Sequence, residues 1–549
     1  MTRRSQTSSL LLILAFVSLR SNAGVLNDPS LNDYDVAQYV LSLSFNLTKK
    51  SFQGSVVVNA RALKPLSHFV LSASNQTLTI DSVLYNNTKT IYNHSDDHLV
   101  IELPTAIQAQ SQFDVTLYYR GTSSFQGQYE GGGVLFSESN RIATISEPNF
   151  ARMWWPCKDV PSDKATAAMT ITVPESLTAV SNGALKDVQR HGGTATYYWE
   201  TTYPIATYLI SVVAASYREF SEFYEGPGGK RMKISYFVFP EDEDAAKIDF
   251  QNTTKILHFF ASKFCEYPFI DEKFGFAEVE GALTMENQTI CSIQQSMITG
   301  KGTYESTFVH EIAHHWWGNM ITPVSWHHTW LNEGFATYAE ALYREHIKGY
   351  DAYQSYIDRL MSAENGVYAG SVIGQSDTAF WDSFAPRVYA KGAIILHMLR
   401  GAVGDSVFFA IMRNYVNNQK YRYGNAETED FIRECEKVYG QSLKWFFDQW
   451  VFAYTDSIDR PEYEYAWRAQ QASSQYNLIL DITQNTAAHL IYKMPLDIIV
   501  KSAHSTYSFT IVDSLATQTF FLPFPEKPEA VEIDKENKVF KVLKQKEGF

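Results

Sequence analysis

The stretch VHEIAHHWWGN at residues 309–319 limits what this chain can be more than any other, because it gathers three histidines and a glutamate in a chain with only 14 histidines in 549 residues. On a helix of about 3.6 residues per turn, His310 and His314 lie about 40° apart around the axis, so their imidazoles reach a common point. His315 sits about 140° around from His310 and cannot join them; packing or support is its expected role. Beyond a turn, ITPVSW, the stretch WLNEGFATYAEALY at 330–343 has the apolar spacing of a second helix and carries Glu333. Uniting these donors requires the two helices to pack side by side.

The residue types specify the chemistry. In H-E-x-x-H, two imidazoles on one helical face hold a metal and the glutamate beside them acts as general base on a water. The motif alone is also compatible with a helix whose histidines satisfy nearby polar groups, so a third ligand has to be found. Glu333 supplies it. Two histidines and a carboxylate, with a fourth position left open, form the ligand set of a catalytic zinc and not that of a closed structural site.

Hydrophobic periodicity divides the rest of the chain. From about Val36 to Arg218, runs such as VAQYVLSLSF, SVVVNA and AAMTITV alternate with polar turns and predict strands. From about Glu219 to Tyr454, KILHFFASKF, ATYAEALYREHI and KGAIILHMLRGAV have helical spacing. Alternation returns after Asp459 in EYEYAW, LILDI and LDIIV. The prediction is a multi-domain α+β chain: a β-rich domain over 24–218, a catalytic domain over 219–454 and a closing β domain over 455–549. With 45% hydrophobic and 14% aromatic residues, several cores can be buried.

The formal charge of −14 argues against nucleic acid as a partner. Residues 1–23 have a basic start, an apolar run from Leu10 to Leu19 and a small-residue end at Ala23, the pattern of a cleaved secretory leader. The run is too short to span a bilayer, and no later stretch is long and apolar enough, so the expected mature protein is exported, secreted or periplasmic, without a transmembrane segment. Sequons at Asn46, Asn75, Asn86, Asn93 and Asn252 fit a glycoprotein, and Asn287 begins another. Cys157, Cys265, Cys291 and Cys435 allow one or two disulfides with no readable pairing.

Taken together, these residues resemble the gluzincin zinc aminopeptidases of the aminopeptidase N type, whose pattern is H-E-x-x-H, then 18 residues, then Glu within WLNEGFA. The likeness extends to EPNFARMWWPCKDVPSDKATAAMTITVPESLTAVSNG at 147–183 and DQWVFAYTDSIDRPEYEYAW at 448–467. It implies a thermolysin-like α/β catalytic domain followed by a β-sandwich, and one zinc ion per chain on His310, His314 and Glu333. It further implies Glu311 as general base, and Tyr389, in VYAKGAIILHML, as the hydroxyl that stabilises the oxyanion. Glu286 in EGALTMENQTI and Glu147 in ISEPNFAR would bind the substrate's free α-ammonium group, with Met285 and Asn287 also lining the substrate-binding site. Peptides with a free N-terminus would be the substrates; the oligomeric state is not implied.

The chain also departs from the family pattern. Leu283-Thr284 precede Met285-Glu286-Asn287 where the family has Gly-Ala, while Gly281-Ala282 lie two residues earlier; either the strand carries a two-residue insertion or the glycine position is substituted, and bulkier side chains there could narrow the cleft. The chain ends soon after the predicted sandwich, whereas many relatives continue into a helical domain, so a more open cleft is expected. Trp381 stands eight residues before Tyr389, with Asp382 beside it, where an epoxide-hydrolysing relative has an acid, so that chemistry is disfavoured. Two other readings remain at this point: an inactive peptide-binding or receptor homologue, which intact Glu311 and Tyr389 disfavour, and a thermolysin-type endopeptidase, which Glu147 and Glu286 disfavour.

Overall fold

The structure, a computed structural model, describes residues 28–546 apart from 124–131, 283, 363–368, 376–383, 455–459, 473–474 and 487–489. The expected leader at 1–23 therefore lies outside the described residues, as do Leu283, Trp381 and Asp382.

The amino-terminal part is built on an eight-stranded sheet. Its centre pairs Tyr34–Asn46 antiparallel with Ser51–Ala62 and parallel with Lys164–Pro174, with Leu41 opposite Met169. Alternation dictates what each face does: Tyr39, Leu41, Leu43 and Phe45 point inward, as do Ala167, Met169 and Ile171, while the serines and threonines between them face out. Two smaller sheets, one containing Thr178–Ser181, Val212–Ala215 and Ile142–Ile145, close over this face.

The chain then builds a four-stranded mixed sheet, in which Arg231–Val238 pairs parallel with Phe274–Val279 and that strand parallel with Cys291–Gln294. Every residue of Phe274–Val279 is buried, as expected for a central parallel strand covered on both faces. Helices follow, among them α1 (Glu305–Ala313), α2 (Trp330–Lys348) and α3 (Pro386–Val403). Their core continues without a break into the carboxy-terminal sheets, where Glu462–Ala472 and Gln475–Asn485 face a three-stranded sheet centred on Met494–Lys501. This is the α+β order expected from the sequence.

The first-domain core and the joint core of the other two are separate clusters. Trp326, Ile290 and Ala282 fall by position within the central 219–454 region but pack into the amino-terminal cluster. The candidate site lies along this seam. Cys157, Cys265, Cys291 and Cys435 are all free, so neither of the disulfides considered from the sequence forms.

Candidate metal and catalytic centre

α1 ends at Ala313, but His314 at its C-cap keeps helical angles (φ −55°, ψ −23°) and stays on the face of His310. The two imidazole centroids are 4.7 Å apart. α2 brings Glu333 from its first turn, with Oε2 at 3.1 Å from His310 Nε2 and 3.4 Å from His314 Nε2. The outer nitrogens are occupied elsewhere: His310 Nδ1 lies 3.1 Å from Glu340 Oε1, and His314 Nδ1 lies 3.0 Å from the Trp317 carbonyl. Those partners are acceptors, so each neutral ring carries its hydrogen on Nδ1 and turns an Nε2 lone pair toward Glu333.

Three lone-pair donors converging on one point repel one another unless a cation lies among them. A proton on either ring is the alternative source of positive charge, and the surroundings favour it. Burial disfavours charge on His310, yet hydrogen bonds to Glu333 and Glu340 outweigh it and raise its pKa well above the ordinary imidazole value. Burial likewise opposes charge on His314, but Glu286 and Glu333 lift it to about 9. Glu333 is held down at about 2, because the two histidines overcome its desolvation. The cluster favours positive charge, and two imidazoles plus a carboxylate with an open side fit Zn2+, with Glu340 and the Trp317 carbonyl orienting the two rings.

Glu340 was not singled out in the sequence. It is seven residues after Glu333, almost two full turns, and so on the same face of α2; that spacing was the available signal. A further packing detail explains two glycines in the motifs. A Cβ on Gly334 would sit 2.8 Å from the Cα of Gly392, so α2 and α3 cross backbone to backbone at this point. The crossing draws Tyr389 to the centre, where its ring stacks on His310 at 6.2 Å between centroids with planes 17° apart. Burial, then the charges of Glu333 and its neighbouring carboxylates, push the Tyr389 phenol well above its usual pKa, so it stays a neutral donor.

Glu311 is 7% exposed, and burial, only partly offset by the two histidines, raises its carboxyl to about 8. Glu286, 3% exposed, has Oε1 at 4.0 Å from His314 Nδ1. Glu147 arrives from the first domain, and Glu147, Glu286 and Glu333 each place an oxygen within 4.8 Å of the others. Oε1 of Glu147 and Oε1 of Glu286 are buried without a hydrogen-bond partner. Burial, then the Glu286 charge, raises the Glu147 pKa; burial also raises that of Glu286 despite His314.

Met285 and Ser292 form an antiparallel bridge, and the Asn287 amide donates to Ser292 Oγ at 3.0 Å. Asn287 is buried. Thr284 Oγ1 accepts from the Gln294 amide at 3.1 Å and donates to Met297 Sδ at 3.2 Å, so its side chain is tied to the segment behind the bridge. His315 is enclosed by Tyr267, Phe269 and Phe274, and burial drives its pKa down to about 3.

Two family models match the chain: the Peptidase M1 N-terminal domain over residues 33–209 and the Peptidase family M1 domain over residues 248–450. Aminopeptidase M1-B of Oryza sativa subsp. japonica is 26% identical over 445 residues, covering 75% of this chain and 49% of that protein. Aminopeptidase M1 of Arabidopsis thaliana is 25% identical over 457 residues, covering 77% of this chain and 51% of that protein. The chain thus spans about half the length of the curated relatives it matches. Among solved structures, an M1 zinc metallopeptidase from Deinococcus radiodurans superposes with a TM-score of 0.66 at 23% identity, over 76% of this chain and 93% of that one. Legionella pneumophila aminopeptidase A in complex with aspartic acid gives 0.81 at 17% identity, over 94% of this chain and 60% of that one. At these identities the superpositions carry the fold alone.

Proposed function

The chain belongs to the M1 peptidase family, and from that premise we propose that it is a zinc-dependent aminopeptidase that releases the N-terminal residue of peptides. The observation that carries the proposal is the pair of carboxylates Glu147, half-buried, and Glu286, buried, each with a buried, unpartnered oxygen beside the His310–His314–Glu333 cluster. Burying unpaired carboxylates is costly, and a substrate ammonium group is a cation that could pair with both.

His310, His314 and Glu333 would hold the zinc, which when bound polarises a carbonyl and makes a water acidic near neutral pH. Glu147 and Glu286 bind the α-ammonium group and set the first peptide bond of the substrate at a fixed reach from the ligands. Glu311 takes the proton of the attacking water and delivers it to the leaving amine. Burial raises its carboxyl above the ordinary carboxylate range, which favours holding the proton between the two transfers. Tyr389 donates its phenolic hydrogen to the oxygen on which negative charge develops. A relative from Deinococcus radiodurans has been solved bound to a Tyr-Ser-Ala substrate, which supports a short-peptide substrate class.

The test is a matched pair of peptides. The free amine is trimmed stepwise from its end and the N-acetylated twin is inert. Internal cleavage of the acetylated peptide favours the endopeptidase reading, and no turnover of either by zinc-loaded protein favours the inactive homologue.

The proposal includes export, with a leader removed after Ala23 and glycans on the exposed Asn46, Asn75, Asn86 and Asn93. Asn252 donates its amide to Glu305 at 2.7 Å and Asn287 is buried, so both stay unmodified. Sequencing the amino terminus of protein secreted from a glycosylating host checks this; an intact leader refutes it.

A further inference from the structure

The turn behind Glu286 is gripped from three directions. It is closed by the Ile290 amide donating to the Asn287 carbonyl at 3.0 Å, and it places Thr289 at φ +67°, an unusual conformation for a β-branched residue. From the first domain, the Gly183 amide donates to Thr289 Oγ1 at 2.8 Å and the Asn182 side-chain amide to the Gln288 carbonyl at 2.7 Å. Lys273 Nζ donates to Thr289 Oγ1 at 3.2 Å. Asn319, just past α1, donates to the Glu286 carbonyl at 2.8 Å, and Lys164 of the first domain donates to the Asn319 carbonyl at 2.7 Å.

The remaining hold comes from the helix of the metal ligands. The Thr289 backbone N–H donates to His315 Nε2 at 3.1 Å, and His315 Nδ1 lies 3.3 Å from the Glu311 carbonyl. One tautomer satisfies both contacts: Nδ1–H donates along the helix and Nε2 accepts across to the turn. Thr289, Gln288 and His315 are fully buried, so water cannot take over a bond that is lost. The aromatic neighbours of His315 require only a flat ring; its Nε2 lone pair is what the Thr289 amide requires.

We propose that His315 is a positioning residue for recognition of the substrate ammonium group: it fastens the Glu286 turn to the segment bearing His310 and His314, and so fixes the distance between the anchor and the metal ligands. The inference rests on the aminopeptidase reading above. Glu286 and the ligands come from separate stretches of chain, and the His315–Thr289 bond is a direct tie between them, so loss of this acceptor allows the strained turn to relax and carry Glu286 away.

The full-length chain is tested as His315→Phe, which keeps a flat ring and removes the acceptor, and as His315→Gln, whose carboxamide offers both a donor and an acceptor. On a chromogenic aminoacyl amide, His315→Phe raises KM and lowers kcat/KM on the order of 10- to 100-fold, with one zinc retained per chain, and His315→Gln recovers most of the loss. Hydrogen exchange provides a readout independent of activity: protection over 286–290 falls in His315→Phe while protection over 305–313 persists. If the wild-type chain trims no peptide but exchange shifts in this way, the aminopeptidase reading fails and the fastening stands. Wild-type KM together with wild-type protection in His315→Phe overturns the proposal, as does loss of zinc with protection over 286–290 unchanged. Should His315→Phe not fold, His315→Leu removes the same acceptor with a smaller side chain and is expected to raise KM; an unchanged KM there also overturns it.

Discussion

Replacing Glu340 with Ala removes the acceptor that orients the His310 ring, and the consequence is a weaker metal site. The bond spans 3.1 Å between side chains that are each 13% exposed, so it is largely shielded from water. Partners of this kind are typically worth 10- to 100-fold in metal affinity, or about 1.4–2.7 kcal/mol. A cavity of about 140 Å³ lined by Ser306, Glu340 and Arg344 lies beside the bond and can admit water to accept the freed Nδ1–H, which puts the expected loss near the lower end, about 10-fold. Glu340→Gln keeps a neutral acceptor and should fall between the variant and wild type. Competition with a chromogenic chelator measures the zinc dissociation constant directly. If Glu340→Ala binds zinc as tightly as wild type, then the Glu340 contact does not tune the ligand and the reasoning from the outer nitrogens is wrong.

Glu311→Gln is expected to keep its zinc and lose roughly 10²- to 10⁴-fold in kcat, read by metal analysis alongside steady-state kinetics. Tyr389→Phe should lower kcat by about 10²-fold with little change in KM; near-native turnover would assign the oxyanion to another donor. Acid lability should track His397, which accepts from the Tyr353 hydroxyl at 2.6 Å and meets the Asn537 carbonyl at 3.1 Å, tying α3 to the carboxy-terminal sheets. Burial depresses its pKa to about 4 from 6.5, so the unfolded chain takes up this proton first: stability is lost as pH falls below about 6.5 and the loss levels off below about 4. The full effect is roughly 3 kcal/mol, and thermal melts of wild type and His397→Gln across that window should show a flatter acid limb in the variant.

Much of the centre was legible because it is encoded locally. The helical period alone puts His310 and His314 on one face and excludes His315, and the apolar spacing around Glu333 marks a second helix. The strand and helix textures of the three regions are equally local, since alternation and 3.6-residue spacing record which face of each element is buried. What the sequence could not decide were the outcomes of contacts between distant stretches. Glu147 is one of 60 acidic residues, and without the family resemblance nothing in its neighbours marks it; it matters because the seam between two cores sets it beside Glu286. Gly334 and Gly392 look like ordinary helix-weakening residues until the crossing of α2 and α3 shows that a Cβ would hold the helices, and with them Tyr389, apart. The raised carboxyls of Glu311 and Glu286 belong to the same class. Their pKa values come from burial and from charges supplied by other segments, and desolvation exists only once the tertiary structure has removed the water.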